Sequence, residues 1–124
     1  MNHFHIYIRI TGTSFDAEKF RALIDHDSKG MVKQTKVTPI HNYWVSETVS
    51  VSGYHPENAV ISLINMYRNS LLRASECFAG EKSIVIGAHF HSTSTLSGYY
   101  FSLVAIEALH QTGLSVDIDQ YFDA

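Results

Sequence analysis

Apolar and polar residues alternate along several stretches of this chain, which is the pattern of a β-strand with one buried face. The clearest example begins at Phe4, where apolar residues occupy every second position as far as Ile10. Glycine, proline and asparagine residues, which favour turns, separate such stretches. The predicted strands are, in chain order, Phe4–Ile10, Met31–Thr38, Val45–Gly53, Lys82–His91 and Leu114–Phe122.

The third predicted strand contains one residue that does not fit its pattern. Val45, Val49 and Val51 alternate with polar residues, so we expect the three valines to share one buried face. Glu47 occupies the position between them on that same face. Either the strand changes register at Glu47 or the carboxylate has a partner, and the sequence leaves both alternatives open.

Three segments between the strands have apolar residues at helical spacing. The first begins at Thr13 or Ser14 as its capping residue, and the second has Pro56 at its first helical position. The third begins at the cap Ser102 and ends at Gly113. The apolar residues of the three predicted helices are, in order, Phe20, Leu23 and Ile24; Val60, Leu63, Ile64, Tyr67 and Leu71; and Val104, Ala105, Ala108 and Leu109.

The order of these elements predicts an α+β fold. The first six elements, β-α-β-β-α-β, match the ferredoxin-like pattern, in which the fourth strand pairs antiparallel with the first. A third helix and a fifth strand extend this core, and the fifth strand can pair in parallel with the fourth. Right-handed connections then place all three helices on one face of a mainly antiparallel sheet and leave the other face open. A chain of 124 residues has room for one such domain, spanning residues 1–124.

Charge is distributed unevenly along the chain, whose formal net charge is −3. All nine lysine and arginine residues lie between Arg9 and Lys82, whereas the segment from Ser83 to Ala124 has four acidic residues and no basic one. An acidic surface repels phosphate backbones and attracts basic proteins, so we expect no nucleic-acid partner. The alternative is an ordinary variation in surface charge.

Composition excludes several other classes of protein. The single cysteine, Cys77, cannot form an intramolecular disulfide, and no apolar run approaches the ~20 residues that span a bilayer. The residues after Met1 do not form a secretory signal, so we expect a cytoplasmic protein without membrane association. The hydroxyl-rich stretch Ser92–Ser97 lacks the glycine pattern around a catalytic serine, and we therefore expect no enzyme activity.

Several segments together resemble one bacterial protein family. They are Thr11–Glu18, Trp44, Phe101–Leu103 and Gly113–Asp119, and the chain is similar in them to the family called domain of unknown function 4279. The chain differs from the family after the first helix, where only Lys29-Gly30 of the family's usual turn is present. The resemblance implies no established activity and no catalytic residues. Because some relatives look like immunity proteins, it implies a small cytoplasmic protein that neutralises a toxin by occlusion.

An immunity-type function predicts a protein partner, and the acidic last third of the chain predicts that this partner is a basic toxin domain. We expect Asp117 and Asp119 of the last strand to attract it. Tyr99 and Tyr121 lie in a loop and a strand end, where amphipathic rings are suited to recognition. A second copy of the chain, packed on the open sheet face, is a further possible partner.

Two pairs of histidines provide the alternative function, metal or small-ligand binding. His3 and His5 begin the first predicted strand, while His89 and His91 end the fourth, and antiparallel pairing brings these strand ends together. Four imidazoles can then converge on the open face, with Asp119 nearby. Such ligands suit zinc, nickel or copper; otherwise no cofactor is expected. The competing interpretation is solvated histidines at strand ends.

Overall fold

The computed structural model describes residues 3–24, 30–53, 56–77, 80–91 and 100–123. It confirms the predicted α+β class, with three helices and a mostly antiparallel, open, six-stranded sheet. The strands are β1 (His3–Thr11), β2 (Met31–Gln34), β3 (Asn42–Val45), β4 (Val49–Ser52), β5 (Glu81–His91) and β6 (Leu114–Asp123). The helices are α1 (Ala17–Leu23), α2 (Glu57–Leu72) and α3 (Leu103–Thr112), and a 3₁₀ turn, Ala74–Cys77, follows α2.

The helices begin and end where local chemistry satisfies their terminal backbone groups. Asp16 caps α1 by accepting a hydrogen bond from the Lys19 amide, so the predicted cap at Thr13 or Ser14 is wrong. Ser102 caps α3 as predicted, and Gly113 ends α3 in the left-handed conformation, with φ of 71°. Within the part of the chain that the structure describes, no helix is long and apolar enough to cross a membrane.

The strand order of the sheet is β2-β3-β1-β5-β6, and β4 pairs with β1 outside that path. β1 pairs antiparallel with β3, β4 and β5, whereas β5 and β6 are parallel. The specific ferredoxin-like topology is not confirmed, because the six-stranded order differs from the five-stranded expectation. The physical reason is that the third predicted strand is divided into β3 and β4.

A one-residue change of register separates β3 from β4. Arg9 of β1 lies opposite Val45, but Ile6 lies opposite Val49. The segment from Val45 to Val49 therefore has one more residue than the segment of β1 opposite it, which makes it a β-bulge. Residues directly opposite each other share a face of the sheet. Val49 and Val51 therefore face the core with Ile6, whereas Val45 faces the other side with Arg9. The prediction that the three valines share one face is wrong for Val45.

Ser46, within the bulge between Val45 and Val49, makes hydrogen bonds to the backbone of Ile8 that the bulge would otherwise remove. Its amide donates to the Ile8 carbonyl at 2.9 Å, and its hydroxyl oxygen accepts from the Ile8 amide at 2.8 Å. The side chain of this serine thus replaces a backbone acceptor, and both backbone groups of Ile8 stay paired. The bulge therefore leaves neither the amide nor the carbonyl of Ile8 without a partner.

The core lies on the face of the sheet that carries every second residue of β1. Phe4, Ile6, Ile8 and Ile10 are at most 1% exposed, and β5 adds Ile84, Ile86, Ala88 and Phe90 beside them. All three helices contribute to this core, which places them on the same face of the sheet. The helical residues in the core are Ala17, Phe20, Val60, Leu63, Ile64, Tyr67, Leu71, Ala108 and Leu109.

Trp44 is the centre of an aromatic cluster inside this core. Its indole is fully buried, with ring centroids 5.0 Å from Phe20 and 5.2 Å from Tyr67. Gly30 lies against the indole so closely that an added Cβ would be 2.4 Å from Cζ2 of Trp44. The absence of a side chain at Gly30 is therefore a requirement of the packing around Trp44.

Replacing this glycine tests the close approach. We expect Gly30→Ala to lower the free energy of unfolding by about 1–3 kcal/mol, because the indole cannot move away without disturbing the packed core. Gly87→Ala is the matched control, since a Cβ there meets its nearest neighbour at an ordinary 3.7 Å. Urea denaturation measures both variants, and equal stability of Gly30→Ala and the parent would contradict the packing described.

Candidate functional site

The candidate site is the helix-free face, defined here as the side of the sheet that carries His3, His5, Tyr7, Arg9 and Thr11 of β1. Cross-strand register arranges its side chains in rows. From the β4 side to the β6 side, two rows are Ser52, His3, His89 and Tyr121, then Ser50, His5, Gly87 and Asp119. A third row contains Tyr7, Val85 and Asp117. Most residues predicted as functional therefore lie on one surface.

Three of the four predicted histidines come together on this face. His3 lies directly opposite His89, and the rings of His5 and His89 are 5.0 Å apart at 85°. His89 also stacks on Tyr121, with centroids 4.7 Å apart and planes 16° apart. The histidine cluster, meaning His3, His5 and His89, has the convergence that the strand pairing predicted. The fourth residue, His91, ends β5, and its side chain is outside the described part.

Hydrogen bonds orient two of these imidazoles. Nδ1 of His5 is 3.0 Å from the hydroxyl of Ser50, and Nδ1 of His3 is 3.0 Å from that of Ser52. Among the side chains that the structure describes, no group of three or more histidine, cysteine, aspartate or glutamate residues could hold a metal ion. The described side chains do not by themselves form a zinc site, so zinc binding stays a hypothesis.

The acidic strand β6 places three of the predicted partner-binding residues on the helix-free face. Asp117 accepts a hydrogen bond at 3.2 Å from Nη2 of Arg9, in a partly exposed ion pair. Asp119 is exposed and has no ion pair within the described ranges. Tyr121 is 49% exposed despite its contact with His89. Tyr99 and the hydroxyl-rich stretch Ser92–Ser97 lie outside the described residues.

Tyr7 lies at the centre of this face. Burial is the main reason that the pKa of its hydroxyl is raised above the ordinary value. The positive charge of Arg9 opposes this shift, whereas the carboxylate of Asp119 adds to it. Tyr7 is therefore a neutral hydroxyl at physiological pH, able to donate a hydrogen bond to a bound group.

A groove of about 710 Å³ lies over β1, β2, β3 and the bulge, and the sequence did not predict it. The side chains that give it chemical character are the cations Arg9, Lys33 and Lys36, the rings of Tyr7 and Tyr43, and the apolar Met31 and Val45. Strand alternation alone would have turned Val45 towards the core. The signal available in the sequence was Glu47 on the apolar side of the predicted strand, for which a change of register was one of the two alternatives.

Both alternatives offered for Glu47 are present together. The strand changes register beside Glu47, and the carboxylate accepts a hydrogen bond from the hydroxyl of Tyr67 on α2. Tyr67 is only 3% exposed, so the pair fixes the bulge against the helical layer. The bond connects the wall of the groove to the core.

Cys77 is fully buried in the core cluster. Burial raises the pKa of its thiol, and the opposing charge of Lys19 does not reverse the shift. A buried thiol that resists ionisation is a poor nucleophile, and Cys77 therefore acts as a small apolar residue of the core.

Comparison of the chain with protein-family models, with curated proteins and with solved structures found no match. The resemblance to the domain of unknown function 4279 family therefore stays a prediction from the quoted segments.

The link between Glu47 and Tyr67 can be measured. We expect Tyr67→Phe to lower the free energy of unfolding by about 1–3 kcal/mol, because it leaves a half-buried carboxylate without its donor. Tyr43→Phe is the matched control, since the hydroxyl of Tyr43 donates no hydrogen bond to the described residues. A double-mutant cycle with Glu47→Ala in urea isolates the pair, because alanine removes the acceptor, and a zero coupling energy would show that the contact contributes nothing.

Proposed function

We propose that this chain is a protein-binding module, specifically a small cytoplasmic immunity-type protein that neutralises a basic toxin domain by occlusion. The observation that supports this function best is the position of the acidic strand β6. It is the last strand of the described sheet, and its residues Asp117, Asp119 and Tyr121 line the helix-free face. Occlusion requires a stable surface of this kind and no catalytic group.

The charges on β6 favour a basic partner. Asp119 is exposed and lacks an ion pair among the described residues, so its field extends into solvent. From Ser83 onwards the chain has no lysine or arginine to neutralise that field. Tyr121 adds an exposed ring, which is the kind of side chain that contributes most in the centre of protein interfaces. Charge then accelerates the encounter, and the ring adds contact area.

Charge reversal tests this surface. We expect the gene beside that of this chain to encode a toxin-like protein, and the purified product of that gene is the partner to use. We expect Asp119→Lys to slow association about tenfold at low salt, because steering depends on long-range charge. Glu107→Lys, which makes the same charge change on α3, is the matched control and should leave the rate unchanged.

Three results would contradict the proposal in different ways. Failure of the two proteins to form a complex would reject the toxin as partner. Equal association rates for Asp119→Lys and the parent would reject steering by β6. An equal loss in Glu107→Lys would show that net charge, and not the location of the acidic residues, controls the encounter.

A second candidate function is metal binding by the histidine cluster. The observation that favours it is the meeting of three imidazoles, with Asp119 in the same row as His5. Imidazole nitrogen and carboxylate oxygen are suitable ligands for zinc. This candidate needs a further ligand or a small movement, since the described side chains do not form a complete metal site.

Thermal unfolding of tag-free protein with added Zn²⁺ tests this candidate. A bound ion should raise the midpoint at neutral pH, because it binds the folded state only. The increase should disappear near pH 5, where protonated imidazoles no longer coordinate metals. His5→Ala and His89→Ala should abolish it, whereas His110→Ala on α3 should not. A parent protein that does not respond to zinc would exclude the candidate.

A further inference from the structure

We propose that the groove over β1, β2 and β3 binds a small organic anion that carries a planar ring, such as an aryl phosphate, sulfonate or carboxylate. The groove lies over the β2 end of the sheet and the acidic strand β6 lies at the other end, and the ion pair between Arg9 and Asp117 joins the two regions. Its volume of about 710 Å³ is within the range of small-molecule sites, roughly 300–1,000 Å³. Three features of the groove define the ligand. They are its positive charge, an unpaired hydrogen-bond donor and its aromatic walls.

The groove is positively charged although the chain as a whole is acidic. Three cationic side chains line it, those of Arg9, Lys33 and Lys36, against the single carboxylate of Glu47. That carboxylate already accepts a hydrogen bond from Tyr67. The lining therefore has a formal charge of +2 in a protein whose net charge is −3.

The two lysines of this lining are available to a ligand. Lys33 and Lys36 are exposed, and neither forms an ion pair with any residue in the described ranges. Lys33 belongs to β2, the strand at the end of the sheet opposite β6. An anion entering the groove meets cationic charge that the protein itself does not neutralise.

Arg9 provides the donor that an anion would satisfy. One of its terminal nitrogens donates to Asp117, but its Nε is buried and has no hydrogen-bond partner among the described residues. A buried donor without an acceptor is unfavourable, so an anion that reaches this nitrogen gains a favourable interaction. The planar guanidinium fork matches the oxygens of phosphate and carboxylate groups.

Aromatic and apolar side chains alternate with these cations across the groove. Register places Tyr43 opposite Lys33, and Val45 between Met31 and Arg9. Tyr7 lies two residues from Arg9 along the same face of β1. A planar ring can pack on such side chains while its charged substituent reaches the cations. The combination selects an aryl anion over an inorganic ion or an uncharged aromatic compound.

Binding of 1-naphthyl phosphate tests the site, with inorganic phosphate and 1-naphthol as the two half-probes. We expect titration calorimetry to show that the complete probe binds at least about tenfold more tightly than either half, equivalent to ~1.4 kcal/mol. Arg9→Gln and Lys33→Gln should each weaken binding about tenfold. Arg9→Lys should also weaken it, because the charge stays while the fork is lost.

Arg21→Gln is the matched control, since Arg21 is an exposed arginine on α1 whose ion pair is with Glu18. It should leave the affinity unchanged. Lys33 is an exposed residue of β2, so we expect Lys33→Gln to leave the fold intact. This variant keeps the test valid if Arg9→Gln lowers the stability of the protein. The proposal is overturned by an absence of saturable binding at millimolar probe, by inorganic phosphate binding as tightly as the complete probe, or by equal losses in Arg9→Gln and Arg21→Gln.

Discussion

The burial of one face of β1 is the constraint on which the rest of this structure depends. β1 is paired along both edges, with β3 and β4 on one side and β5 on the other, and its inward residues from Phe4 to Ile10 are almost completely buried. A shift of one residue would exchange the two faces of the strand and bring His5 and Arg9 into the core. The apolar pattern of nine residues thus fixes the side on which every charged group of β1 appears.

The helix-free face is polar, because it carries the residues that alternate with the buried apolar residues of the core. Its cations lie towards β2 and its acidic residues towards β6, and the ion pair between Arg9 and Asp117 connects the two regions. Such a separation of charge allows one surface to recognise two ligands of opposite sign. The two proposals follow this separation, with a basic protein at the acidic strand and a small anion in the groove. Each site can be altered without replacing a residue of the other.

Sequence reasoning predicted the regular parts of the fold because those parts depend on local patterns. Alternation predicted β1, and cap chemistry predicted both ends of α3 at Ser102 and Gly113. The change of register at Glu47 was left as one of two alternatives, because an inserted residue changes pairing with a distant strand, which no local period contains. Val45 consequently faces the groove. The groove itself was missed because its cations belong to separate elements, and no sequence motif joins Arg9 to Lys33.

The offset in register between β3 and β4 underlies both the closed core and the groove, and cross-strand nuclear Overhauser effects measure it directly. The expected contacts are Arg9 with Val45 and Ile6 with Val49, which differ by one residue in their alignment. A continuous strand without the bulge would instead pair Ile6 with Thr48. Observation of the first two contacts supports the arrangement of both faces, and a contact between Ile6 and Thr48 in place of Val49 would contradict it.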